Sequence, residues 1–180
     1  HNDLADPIAA FIGGCGRDPG DIVAASAAIQ RTLCAAALPP EVLEELSAAT
    51  AALAARTGGR LRLAVRSSAI GEDGRASWAG QYHTVLNVGP EELPRAILQV
   101  IASLYGPSAL AYRCERGLEE ATARMAVGCI ELVEAAAGGV MFTRDPTRPD
   151  APHLLIEAVP GQGASAADGR PTSTGQSARH

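Results

Sequence analysis

The 180-residue sequence contains no lysine: all fifteen of its basic residues are arginine. Any phosphate-binding role must therefore fall to guanidinium groups, which can engage oxyanions bidentately, and not to the point charge of an ammonium. Aromatic residues make up only 3% of the chain, so a core must be built from aliphatic side chains and alanine. No C-x-x-C pair occurs among Cys15, Cys34, Cys114 and Cys129, which argues against a cysteine metal site and for free thiols. No apolar run reaches 18 residues and no signal-like segment opens the chain, so neither a membrane nor an export route is indicated. With a net charge of −5 and no basic field, nucleic acid is excluded as the natural partner. These features read together as a cytoplasmic protein. The chain starts with His1 in place of methionine, which suggests a piece of something longer.

What is present is a single domain's worth of chain, 47% apolar and 19% charged, as in soluble globular proteins. Its most informative stretch runs from Val65 to Val88. Leu61, Leu63 and Val65 alternate with Arg62, Ala64 and Arg66, the pattern of a half-buried strand that delivers Arg66 and the Ser67–Ser68 pair to the lip of a sheet. Gly71, Gly74 and Gly80 then bracket a loop whose backbone can approach a ligand closely and present its amides to an anion. On composition alone, a phosphate site and a solvated surface loop fit this stretch equally.

Elsewhere the reading is architectural. Asp21 is a candidate N-cap for a helix whose stripe is Ile22, Val23, Ala25, Ile29, Leu33 and Ala36. Pro40 seats a second helix, with Val42, Leu43, Leu46, Ala49, Leu53 and Ala54 inward, stopped by Gly58–Gly59. Pro90 and Glu91–Glu92 open a third helix carrying Leu93, Ile97, Val100, Ile101 and Leu104, and a shorter fourth runs from Ser108 to about Arg116, presenting Tyr112 and Arg113. Residues 124–133 and 138–143 read as two strands joined by a turn around Ala135–Gly138, and His153–Val159 as a further strand with Glu157 on one face. Beyond Ala164 there is no leucine, isoleucine, valine or methionine, so the tail 164–180 cannot offset its ordering entropy by burial and is expected to be disordered.

Two blocks carry a resemblance. Val65-Arg66-Ser67-Ser68-Ala69, Glu72-Asp73, Ala76-Ser77-Trp78-Ala79-Gly80-Gln81 and Leu86-Asn87-Val88 form the first; Glu131-Leu132-Val133 and Gly139-Val140-Met141-Phe142-Thr143-Arg144-Asp145-Pro146 form the second. In this order they resemble the N-terminal ATP-grasp domain of the phosphoenolpyruvate synthase and pyruvate phosphate dikinase family, to which rifampicin phosphotransferase is related. The likeness implies an α/β (α+β) nucleotide-binding fold, incomplete here, divided into a helical lead-in at 1–59, an ATP-grasp core at 60–163 and the tail.

It further implies ATP and Mg²⁺ as cofactors, and phosphohistidine and pyruvate-binding domains elsewhere in the full-length protein as partners. The implied reaction passes the β-phosphoryl group of ATP to a histidine and thence to pyruvate. By the same resemblance Arg66 is the catalytic cation and, with Ser67 and Arg144, a phosphate ligand. Ser77, Gly80, Gln81 and Thr84 form a closing loop, the backbone of Glu131, Leu132 and Val133 reads adenine, and Glu157 is a nucleotide contact or metal ligand. An antibiotic hydroxyl as acceptor, or a non-catalytic nucleotide-binding remnant, are the alternatives.

The sequence departs from the family's pattern at several points. Ala164 stands where the family's Gly-Leu-Gly-Glu supplies a Mg²⁺ carboxylate, and Ile130 and Leu132 stand where glutamine and methionine are common. A Gly-Gly-Lys opening is absent, and none of His1, His83, His153 and His180 lies in a phospho-acceptor motif.

Overall fold

The computed structural model describes residues 8–10, 12, 18–69, 83–116, 125–144, 148 and 154–162. The described elements mix helix and antiparallel strand, the α+β class expected. They fall into two compact units, His1–Leu132 and Val133–His180. The tail beyond Gln162 lies outside the described residues, as do Ser77, Gly80 and Gln81.

Helix α1 spans Pro19–Ala35. Its cap is Asp18, not Asp21: the Asp18 carboxylate accepts a hydrogen bond from the Gly20 amide at 3.0 Å, and Pro19 takes the first helical position, where its missing N–H costs nothing. Asp21 instead sits in the first turn. The buried stripe is Ile22, Ser26, Ile29 and Leu33, a regular helical spacing in which Ser26 replaces the expected Val23, which is 54% exposed. Ser26 is tolerated because its hydroxyl donates to the Tyr105 carbonyl at 2.7 Å.

Helix α2 spans Pro40–Arg56 and buries none of its residues fully. Leu46, Leu53 and Ala54 touch a core cluster, whereas Val42, Leu43 and Ala49, expected inward, are exposed. Among the described residues one narrow stripe of the helix meets the core, and Val42, Leu43 and Ala49 lie outside it. The helix closes as read from Gly58–Gly59: both have positive φ, and the Gly59 amide returns to the Ala54 carbonyl at 2.9 Å.

Strand β1 (Leu63–Ala69) is the centre of a three-stranded antiparallel sheet. The edge strands are β2 (Thr84–Val88) and β3 (Met125–Glu131), in the order β2-β1-β3. Leu63 pairs with Val88 but Val65 pairs with Val85, so β2 carries an extra residue, and Asn87 absorbs it at φ +60°, a conformation asparagine tolerates better than most residues.

A 3₁₀ turn (Pro90–Glu92) leads into α3 (Leu93–Ser103), with the Gly89 amide donating to the Glu92 carboxylate at 3.1 Å. Leu93, Ala96, Ile97 and Val100 of α3 pack on Leu61, Leu63, Val65 and Val88, and each aliphatic side chain so buried contributes about 1.5–3 kcal/mol. Ala102 at the end of α3 joins a second cluster with Ile22, Ile29 and Leu33 of α1 and Leu110 of α4 (Pro107–Arg116). Helix α3 thus supports the sheet and anchors α1.

The second unit contains β4 (Ala137–Phe142) and β5 (Leu155–Pro160), an antiparallel pair in register from Ala137↔Pro160 to Phe142↔Leu155. The two strands expected at 124–133 and 138–143 are present as β3 and β4, joined through residues 132–136, but they do not pair with each other. β3 pairs with β1 along seven residues and β4 with β5, so the chain between them passes from one sheet to another. The Gly161 amide bonds to the Ala136 carbonyl at 2.9 Å and the Gln162 amide group to the Val133 carbonyl at 2.6 Å, tying the two ends of this unit together.

Candidate nucleotide-binding site

Strand β1 sorts its side chains by parity. Leu63 and Val65 point to the α3 side and are fully buried, and Arg66, one residue on, is exposed. The register places Arg66 opposite Thr84 on one neighbour and Gly128 on the other. Directly paired residues share a face, so the guanidinium and the Thr84 hydroxyl stand side by side while Gly128 adds no side chain next to them. Among the described residues Arg66 has no carboxylate partner, and a guanidinium carries five N–H donors suited to an oxyanion. Ser67, on the opposite parity, is half-buried.

Sequence reading identified Arg66 and Thr84 but not Gly128. Cross-strand neighbours depend on register, and nothing in a linear pattern states which residue of β3 lies beside Arg66. Cys129, adjacent to Gly128, turns the other way, opposite Val65, and burial pushes its thiol up from the ordinary value, so it belongs to the core and not to the site. Cys34 is exposed and, like Cys129, is a free thiol.

Glu131 ends β3 opposite Leu63 and is exposed. The Leu132 amide donates to the Arg62 carbonyl at 2.8 Å, extending the ladder by one bond. Val133 is 71% exposed, and its carbonyl accepts from Gln162. In the second unit Arg144 is exposed just beyond β4, and Glu157 is exposed on β5 opposite Val140.

The family described as pyruvate phosphate dikinase, AMP/ATP-binding domain, matches residues 1–176 of this sequence. The chain belongs to that family. The chain is 39% identical over 146 residues to a rifampicin phosphotransferase of Streptomyces sviceus, a match covering 80% of this chain and 16% of that protein. It is 37% identical over 152 residues to a probable phosphoenolpyruvate synthase of Staphylothermus marinus, covering 82% of this chain and 18% of that protein. A third relative is the prodigiosin synthesizing transferase PigC of Serratia marcescens, 42% identical over 113 residues, covering 62% of this chain and 12% of that protein. The chain thus spans less than a fifth of the length of each of these relatives.

Proposed function

We propose that this chain is the ATP-binding part of a phosphoenolpyruvate synthase-like phosphotransferase, which moves a phosphoryl group from ATP to a histidine on another domain and from there to pyruvate. The observation that carries this reading is the match of the dikinase AMP/ATP-binding family across nearly the whole chain. Arg66 supplies fixed positive charge to the phosphates, and Thr84 beside it adds a hydroxyl donor. Phosphoryl transfer needs little covalent chemistry from the protein, so positioning and charge stabilisation by such donors are the contributions expected. Because the Leu132 amide is already committed to Arg62, adenine recognition falls to the Glu131 carbonyl and the Val133 amide. Ser77, Gly80, Gln81 and Arg144 keep the phosphate roles that the family resemblance implies, whereas the Ser67 side chain leaves β1 on the opposite face from Arg66 and does not share its contact.

Magnesium in such sites is held mainly by the nucleotide phosphates, with one or two protein carboxylates. Among the described residues no cluster of three or more acidic, histidine or cysteine groups exists. Glu157 is the carboxylate to which the family resemblance gives this role, with the nucleotide phosphates as the cation's other ligands. When bound, the cation would neutralise phosphate charge. Among the described residues no single helix is long and apolar enough to cross a membrane. The free thiols suit a reducing compartment such as the cytoplasm.

A second acceptor is favoured by a specific observation. Relatives named for rifampicin and for phosphoenolpyruvate match this chain at nearly equal identity, 39% and 37%. The matched region is therefore common to proteins with different acceptors, and an antibiotic hydroxyl fits this chain as well as pyruvate does. Either way, ATP binding is the testable core. In calorimetric titration with ATP, Arg66→Ala should weaken affinity about tenfold or more, the loss of a charge-assisted contact of about 1.5–3 kcal/mol. Arg60→Ala, which removes another exposed arginine, should leave it nearly unchanged. Equal affinities for the two variants would show that Arg66 is not a phosphate ligand.

A further inference from the structure

We propose that Ser103, the last residue of α3, is a positioning residue that holds the Thr84 end of β2 beside Arg66. The inference rests on the reading above, that Arg66 and Thr84 serve ATP. Strand β2 is short and lies at the sheet's edge, and the extra residue at Asn87 interrupts its pairing with β1. Arg66↔Thr84 is the terminal pair of that ladder, the position most prone to fray. One residue upstream, the His83 amide donates to the Ser103 hydroxyl at 3.1 Å. The same hydroxyl donates to the Val100 carbonyl at 2.6 Å, which fixes its orientation as an acceptor.

This makes a short mechanical chain. Val100 is fully buried and Ala102 nearly so, so the end of α3 is held by both core clusters. Ser103 transfers that rigidity through one hydroxyl to His83, and the next residue is Thr84. Removing the hydroxyl leaves the His83 amide to water and the terminal pair to the weak edge ladder alone. Ser103-Leu104-Tyr105 also resembles the family's segment that supports the nucleotide cleft, but the bond to His83, twenty positions away, is visible only in the fold.

The test is ATP titration, with magnesium present, of the 180-residue chain. Ser103→Ala should weaken binding about three- to tenfold, the range of one lost hydrogen bond. Ser103→Thr, which keeps the hydroxyl, should stay within about twofold of the unsubstituted chain. Ser26→Ala, which removes the buried hydroxyl bond from α1 to the Tyr105 carbonyl, should lower the melting temperature without changing affinity. In an Arg66→Ala background the Ser103→Ala effect should shrink to less than about twofold, since the two act on one site. Full affinity in Ser103→Ala alongside lost affinity in Arg66→Ala overturns the positioning role while leaving ATP binding at Arg66 intact. Full affinity in Arg66→Ala overturns the underlying reading instead. If Ser103→Ala does not fold, amide exchange in the unsubstituted chain decides: a His83 amide exchanging as fast as a free one overturns the proposal, and a protected one supports it.

Discussion

Single residues in this chain are constrained in ways that differ sharply even among glycines. Gly139 on β4 lies so close to β5 that an added Cβ would collide with the backbone carbonyl of Glu157 and crowd the Ala158 Cα at 2.8 Å. Backbone cannot yield as a flexible side chain does, so Gly139→Ala should break the β4–β5 ladder, with a loss of about 2 kcal/mol or more. Gly58→Ala meets open space and carries only the strain of its positive φ, a cost of about 1 kcal/mol. Amide exchange at Val140 and Glu157, which face each other as a hydrogen-bonded pair in the alternation set by the Gly161–Ala136 bond, checks this: protection should vanish in Gly139→Ala and persist in Gly58→Ala, and retained protection in both would show that the pair can spread to admit a methyl group. The arginine strand was legible from Leu61, Leu63 and Val65 alternating with Arg62 and Arg66. Gly128 beside Arg66 was not, because it depends on strand register, and Ser103 was legible only as part of a family-like segment, its bond to His83 being made across the fold.

At the scale of elements, punctuation residues carried most of the readable information. Pro40, Gly58–Gly59 and Pro90 mark starts and stops where the structure has them. The error at the start of α1 came from passing over Asp18-Pro19, an N-cap followed by a proline at the first helical position, in favour of Asp21. The consequence is measurable. Asp18→Ala should cost about 1 kcal/mol of stability through loss of the bond to the Gly20 amide, and Asp21→Ala, which removes only a charge near the helix start, a few tenths. Denaturant unfolding of the two variants separates these; a larger loss for Asp21→Ala would mean that the cap is misassigned. The pairing of β3 was illegible for a different reason: no local pattern states which strand a segment pairs with, and the long ladder between β1 and β3 is made across the fold. Likewise α2 carries more apolar positions than the core can use, so periodicity alone marked Val42, Leu43 and Ala49 as inward.

The whole molecule divides between Leu132 and Val133, inside the segment proposed to read adenine. On one side the Leu132 amide is bonded to Arg62, and on the other the Val133 carbonyl is bonded to Gln162, so each unit secures its own end of the junction. The residues that follow are accessible: Val133 is 71% exposed and Glu134 is exposed as well. A protease that cuts after glutamate should therefore attack Glu134 in the nucleotide-free chain. If adenine engages the Glu131 carbonyl and the Val133 amide, bound ATP must hold this segment against opening and cover part of it. Cleavage at Glu134 should then slow in proportion to site occupancy, about tenfold when free ATP is ten times its dissociation constant, provided cutting requires the nucleotide-free form. Cleavage after Glu44 or Glu45 on α2, outside the proposed site, gives the internal reference for any direct effect of ATP on the protease. A rate at Glu134 that stays constant as ATP rises, in a chain shown by titration to bind it, would place adenine elsewhere and leave Arg66 as a phosphate ligand without the proposed adenine contacts.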